Sequence, residues 1–124
     1  MSTMQLMARI AETDATFTLH KRDWIGKCLI CGGPLRFDAD TGEGADIEHI
    51  QPRSLGGTND LHNLGITHRK CNAEKGRRWD GHRRRRAEPG RYQALIARLR
   101  AERERRWRDP SNAHAARHPE ATLA

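Results

Sequence analysis

At 124 residues the chain has room for one domain with short appended segments. Only 35% of its residues are apolar and mean hydropathy is −0.91, and no window approaches the roughly 18 apolar residues of a spanning helix, which excludes a membrane-spanning helix. The formal charge of +7 points to an anionic partner.

The opening MSTMQLMARIAETDATF has no basic start followed by an apolar run, so no secretory signal is expected and the cytoplasm is the expected compartment. Residues 1–20 read as a helix, with Leu6, Met7 and Ile10 at helical spacing, and 1–22 form an N-terminal helical segment. Cys28-Leu29-Ile30-Cys31-Gly32-Gly33-Pro34 reads as a tight turn, because the glycines accept positive φ and Pro34 ends regular pairing. Residues 45–50 alternate as a short strand. Pro52 to Asp60 is loop, with Gly56-Gly57 and Asn59, and Leu61 to Thr67 reads as a second strand. His68 to Trp79 reads as a helix with Thr67 as its cap. After Gly81 come Arg83, Arg84, Arg85 and Arg86, then a break at Pro89-Gly90. Arg91 to Arg108 reads as a helix with Tyr92, Leu95, Ile96 and Leu99 in one stripe, and with Glu102–Arg106 and Glu104–Arg108 pairs at i,i+4. Residues 109–124 are small and polar and are expected to be disordered.

Charge is concentrated. Between Gly76 and Arg108 thirteen arginines stand against four acids, while the rest of the chain is slightly acidic. Guanidinium groups bind phosphate in a bidentate manner, so a nucleic acid is the expected partner of this basic stretch, residues 81–108 above all.

The three cysteines are an odd count, and disulfides are not expected in the cytoplasm. Cys28-x-x-Cys31 and His68-x-x-Cys71 use every cysteine, and together they offer a Cys₃His tetrahedral set that closes a structural Zn²⁺ site. His62 and His82 are other candidates for the histidine, but only His68 sits at x-x spacing from Cys71. A domain this small and polar gains a needed staple from such a site.

Thirty-six residues separate the two pairs. They include Glu48-His49-Ile50, Pro52, Ser54, Gly56-Gly57 and Asn63-Leu64, and after them come Cys71-Asn72 and Lys75-Gly76. In this order and spacing the segment resembles the HNH endonuclease family. The resemblance implies an α+β fold: a small zinc-stapled ββα-metal core over residues 23–80, with flanking helices. It implies a metal-dependent endonuclease that hydrolyses DNA phosphodiester bonds, nicking one strand or cutting both. His49 would be the general base that activates water, since its ordinary pKa lies near neutrality. Asn63, the middle motif residue, would brace the loop that holds His49. Glu48, where the family usually has Asp, and Asn72, where it often has His, would hold a catalytic Mg²⁺ or Mn²⁺, which favour oxygen ligands. Adjacent residues of a strand face opposite ways, so Glu48 and His49 meet one cation only if the strand ends there in a bend. Arg53, Lys75, Arg77, Arg78 and Arg83 to Arg86 would contact the DNA backbone. A homodimer, or a phage-packaging or mobile-element partner, is compatible with that reading. The alternative is a zinc-stabilised nucleic-acid-binding module without chemistry.

Overall fold

The computed structural model describes residues 1–118, with every side chain but those of His82 and Arg83. Helix α1 (Thr3–Glu12) starts at a reciprocal cap: the Ser2 hydroxyl accepts from Gln5 N, and the Gln5 side chain accepts from Ser2 N. It buries Met7 and Ile10. The helix ends eight residues earlier than the sequence pattern suggests. Phe17, fully buried, and the strand β1 (Thr18–His20) follow. β1 is the edge of an antiparallel meander with β2 (Asp23–Lys27) and β3 (Pro34–Asp38). Trp24 and Phe37 are register partners in this sheet, and both are about 1% exposed. Burying each such aromatic contributes about 2–3 kcal/mol.

The β2–β3 connection is the turn that carries Cys28 and Cys31, so the sheet presents the first metal knuckle. A second antiparallel pair joins β4 (Asp46–His49) to β5 (Leu64–Thr67), with Glu48 opposite Gly65 and His49 opposite Leu64. Helix α2 (Arg69–Lys75) packs on β4 and completes the ββα unit. The fold is therefore α+β, as the sequence implies, with an additional three-stranded sheet that the sequence pattern did not reveal.

Three boundaries differ from expectation. Residues 61–63 form a single 3₁₀ turn before β5 begins. His68, not Thr67, occupies the position before α2; Thr67 belongs to β5 and its hydroxyl is buried without a partner. α2 continues into one π-helical turn, Gly76–Asp80, closed by Gly81 N on Gly76 O at 2.9 Å. The arginine run 83–86 is itself helical in α3 (His82–Ala87). The expected break falls at Glu88, between α3 and α4 (Pro89–Arg105), and Pro89 opens α4, where its fixed φ and missing N–H cost nothing.

Helix α4 lays Tyr92, Ile96 and Leu99 on Leu29 and Ile50, forming a second core beside the one built from Met7, Ile10, Phe17, Trp24, Phe37, Leu64 and Ile66. Part of the expected disordered tail is ordered. Residues 110–112 form a 3₁₀ turn and α5 (Ala113–Arg117) docks on β1, with Ala116 fully buried and Arg117 over the Trp24 ring at 5.5 Å. Small residues suit that tight approach. Residues 119–124 of the expected tail lie outside the described residues. Among the described residues no helix is long and apolar enough to cross a membrane.

Candidate metal centres and active site

The two cysteine knuckles meet. The ligand atoms of Cys28, Cys31, His68 and Cys71 all lie within 4.8 Å of one another. His68 Nδ1 is 3.4 Å from Cys31 Sγ and 3.7 Å from Cys71 Sγ. His68 Nε2–H donates to Pro34 O at 2.9 Å, which leaves the Nδ1 lone pair for a metal and fixes the ring. Gly33 N donates to Cys31 Sγ and His68 N to Cys28 Sγ, both at 3.4 Å. The Gly33 N–H holds the Cys31 thiol down at about 7, whereas burial pushes Cys71 up to about 12. None of the cysteines is in a disulfide. The donor set fits Zn²⁺: three soft thiolates and one imidazole, a closed tetrahedron with no open position.

The second group lies where β4 meets α2. Glu48 and His49 face opposite ways, as their adjacency on a strand requires: β4 runs through both and the chain bends only at Ile50, so the bend that would turn both to one cation falls after them. The Glu48 side chain is 3% exposed and points at α2, where its Oε1 accepts from Lys75 Nζ at 3.2 Å. The π turn places Asp80 five residues after Lys75, and the same ammonium donates to both Asp80 oxygens at 3.0 and 2.9 Å. Tyr92 Oη–H donates to Asp80 Oδ1 at 2.7 Å. One cation thus serves two carboxylates. Burial leaves Glu48 pushed up to about 7, against the pull of Lys75. Glu48 Oε2 is buried with no hydrogen-bond partner.

Lys75 is therefore not a phosphate contact on the surface, as the sequence reading had it. Its side chain is 2% exposed and held by Glu48, Asp80 and His49 O. The helical phase that sets Cys71 toward the knuckle turns the residue four positions on inward as well.

Asn72 sits on α2 and donates from Nδ2 to Asp46 Oδ2 at 3.3 Å. Glu48 Oε2, buried without a hydrogen-bond partner, and the Asn72 side chain thus belong to two elements, β4 and α2, that pack on each other. Oxygen donors of this kind fit a hard divalent cation such as Mg²⁺ or Mn²⁺.

On the other side of β4, His49 Nε2 lies 2.8 Å from Asn59 Oδ1. Asn63 ties the intervening loop together. Its Oδ1 accepts from Gln51 N at 3.0 Å, and its Nδ2 donates to Gln51 O at 3.1 Å and to Thr58 O at 2.8 Å. The Gly56-Gly57 pair lets this loop close. Gly56 has φ +89°, and a Cβ on Gly57 would lie 1.7 Å from Gln51 O, so no other residue fits there without moving the backbone. A role for Asn59, and for Asp80 between Lys75 and Tyr92, went unassigned in the sequence, because a loop asparagine and a helix-end aspartate carry no spacing signal.

The arginines divide into two classes. Arg53, Arg77 and Arg86 are exposed. Arg78 pairs with Glu74 at 2.9 Å, Arg84 lies over the Trp79 ring at 5.6 Å, and Arg85 is half-buried. The Arg83 side chain lies outside the described side chains. By contrast Arg103 is fully buried. It donates to Leu64 O at 2.7 Å, Thr13 O at 2.9 Å, Thr13 Oγ1 at 2.7 Å and Leu61 O at 3.1 Å. Arg106 donates to Lys27 O at 2.8 Å and to Glu102 at 2.6 Å, and Arg108 to Phe17 O at 2.6 Å. These three are structural pins rather than phosphate contacts. The Glu102–Arg106 pair forms as expected. Glu104 instead meets His62 Nδ1 at 3.1 Å, whose ring stacks on Trp107 with centroids 3.8 Å apart.

No curated protein and no solved structure gives a significant match to this chain. A family model does, over residues 28–78, and its description is HNH endonuclease. The matched stretch begins at the first knuckle cysteine, contains Glu48, His49, Asn63 and Asn72, and ends just beyond α2, so it covers both candidate metal sites and the loop between them. Residues 28–78 are similar to the HNH endonuclease family.

Proposed function

We propose that the chain is a metal-dependent endonuclease that hydrolyses DNA phosphodiester bonds. The observation that carries this reading is the brace: all three side-chain hydrogen bonds of Asn63 go to the loop that returns Asn59 to the imidazole of His49. A binding module has no use for a histidine held in this way.

In this reading His49 takes a proton from water as the oxygen approaches phosphorus. Asn63 keeps the imidazole from turning away. Glu48 and Asn72 would hold Mg²⁺ or Mn²⁺ on the α2 side of β4, to neutralise charge that develops on the phosphate oxygens; because Glu48 and His49 face opposite ways, the phosphate would have to reach both round the end of β4 at His49. Lys75 and Asp80 set the electrostatics beneath Glu48. The exposed arginines, Arg53, Arg77 and Arg86 with Arg78 and Arg84, hold the duplex through its phosphates without reading its sequence. Zn²⁺ at the four-residue cluster locks the β2–β3 turn to the start of α2, and so holds Asn72, the residue after Cys71, in place.

One observation favours the second reading, a zinc-stabilised nucleic-acid-binding module without chemistry. The Lys75 ammonium already occupies one oxygen of Glu48, and an internal cation there competes with a divalent one. Supercoiled plasmid incubated with zinc-loaded protein separates the two. The nuclease reading expects relaxed or linear product with Mg²⁺ or Mn²⁺ and none with EDTA. Intact plasmid under every cation, with DNA still bound, would establish the binding module.

A further inference from the structure

His49 has two ring nitrogens, and only one can be the base. The structure offers a hydrogen-bond acceptor to one of them: Asn59 Oδ1 at 2.8 Å from Nε2. An amide oxygen accepts and cannot donate, so the ring must present Nε2–H to it, and the lone pair then sits on Nδ1. Asn59 is itself held on both sides. Its neighbour Thr58 is fixed through its carbonyl by Asn63 Nδ2 at 2.8 Å. Its other neighbour, Asp60, accepts from His62 N at 2.9 Å and begins the 3₁₀ turn that contains Asn63. The two asparagines thus form a relay: Asn63 sets the loop, and the loop sets Asn59 against the imidazole.

We infer that Asn59 is the positioning residue that selects the tautomer of His49, with Nε2–H donated to Asn59 Oδ1 and Nδ1 left as the basic nitrogen. The inference rests on the nuclease reading for its purpose, though not for its geometry. In the reaction, a water O–H proton passes to Nδ1 and the ring becomes imidazolium, with Nε2–H still on Asn59. The water oxygen forms its bond to phosphorus while the bond to the 3′ oxygen breaks. The leaving oxygen takes a proton from solvent, and Nδ1 returns its proton to solvent.

The test is ¹⁵N NMR of the ring nitrogens of His49 in the full zinc-loaded chain, above the titration of the ring, without DNA or divalent cation. It is paired with single-turnover cleavage and DNA affinity for Asn59→Ala and Asn59→Asp. The expected spectrum shows the proton on Nε2 in the wild type and in Asn59→Asp, whose carboxylate still accepts. Asn59→Ala should lose about five- to tenfold in cleavage rate with DNA affinity unchanged, the scale of one lost hydrogen bond. Asn59→Asp should keep the rate to within about threefold, its added charge appearing as weaker DNA affinity, since hydrogen bonding to the ring is preserved. A wild-type spectrum with the proton on Nδ1 overturns the inference, because Asn59 would then be donating its amide. So does an Asn59→Asp rate as low as that of Asn59→Ala. The spectrum needs no cleavage, so a protein inactive on DNA would sink the nuclease reading while leaving the tautomer assignment decided by NMR.

Discussion

Lys75 holds the central charge balance of the candidate site: one buried ammonium between the buried carboxylate of Glu48 on β4 and that of Asp80, 19% exposed at the end of the π turn. One negative charge is left over, and Glu48, the more deeply buried acid, answers by holding its proton up to about 7. Its unfolded counterpart releases that proton near 4.5. The folded state therefore binds more protons between these values, and the stability this brings is full below about 4.5 and is lost as pH rises through about 7. Melting temperatures of zinc-loaded wild type and Glu48→Gln are expected to diverge across pH 5 to 8, the wild type falling relative to the permanently neutral variant. A constant difference would show that Glu48 ionises normally. Asn63 makes its contribution through geometry instead. Asn63→Ala removes three hydrogen bonds from the loop, at about 1 kcal/mol each. It should reduce plasmid cleavage by more than tenfold while DNA affinity changes little; a matching loss in both would deny it the bracing role. Asn63 was legible from its place in a motif. Lys75 was misread there, because a lysine beside two arginines in sequence looks like surface, and only the helical phase set by Cys71 shows that it turns inward.

At the level of elements, α4 shows why counting charge overstates a binding surface. Its apolar stripe was readable by period, and Tyr92, Ile96 and Leu99 are indeed buried. The C-terminal arginines were not, since their partners are backbone carbonyls of Thr13, Leu61, Leu64 and Lys27, distant in sequence and invisible to any spacing rule. Arg103→Met keeps the stem but strands those carbonyls, and should cost about 3–5 kcal/mol in denaturant unfolding of the zinc-loaded protein. Arg77→Ala, at an exposed position, should cost under about 0.5 kcal/mol in the same experiment. The pair reverses when DNA binding is measured against salt. Arg77→Ala should lower the slope of log affinity against log salt by about one unit. If the slope is unchanged, Arg77 does not meet a phosphate. The β1–β3 meander escaped the sequence for a related reason. Its strands are three to five residues long, and the glycines and cysteines of the β2–β3 turn drew attention to the metal rather than to the strands it joins.

For the whole molecule, the Cys/His cluster joins the meander to the ββα unit, beside the core that Trp24 and Phe37 share with Leu64 and Ile66: Cys28 and Cys31 come from one, and His68 and Cys71 from the other. This tie was the most legible feature, because each half of a knuckle is local in sequence and the chemistry demands four ligands. Removing the metal should therefore weaken the joint between two substructures and the core they share, rather than loosen one loop. A chelator is expected to abolish the cooperative melt and the near-ultraviolet signal of Trp24 and Trp79 together, with one equivalent of Zn²⁺ restoring both. A protein that keeps its fold without zinc would reduce the cluster to a local ornament. The candidate catalytic half was legible only in part. The sequence placed His49 on one short strand and Asn63 on the next but could not show Asn59 beside the imidazole, or a lysine on the oxygen of Glu48. The measurement that bears most directly on the central claim compares wild type with His49→Ala, both zinc-loaded, for plasmid cleavage and for DNA affinity in the same Mn²⁺ buffer. Cleavage lost by a factor of about 100 or more with affinity retained is the expected result, the scale of a missing general base. Equal behaviour of the two proteins would contradict the account and leave a fold that binds DNA without cutting it.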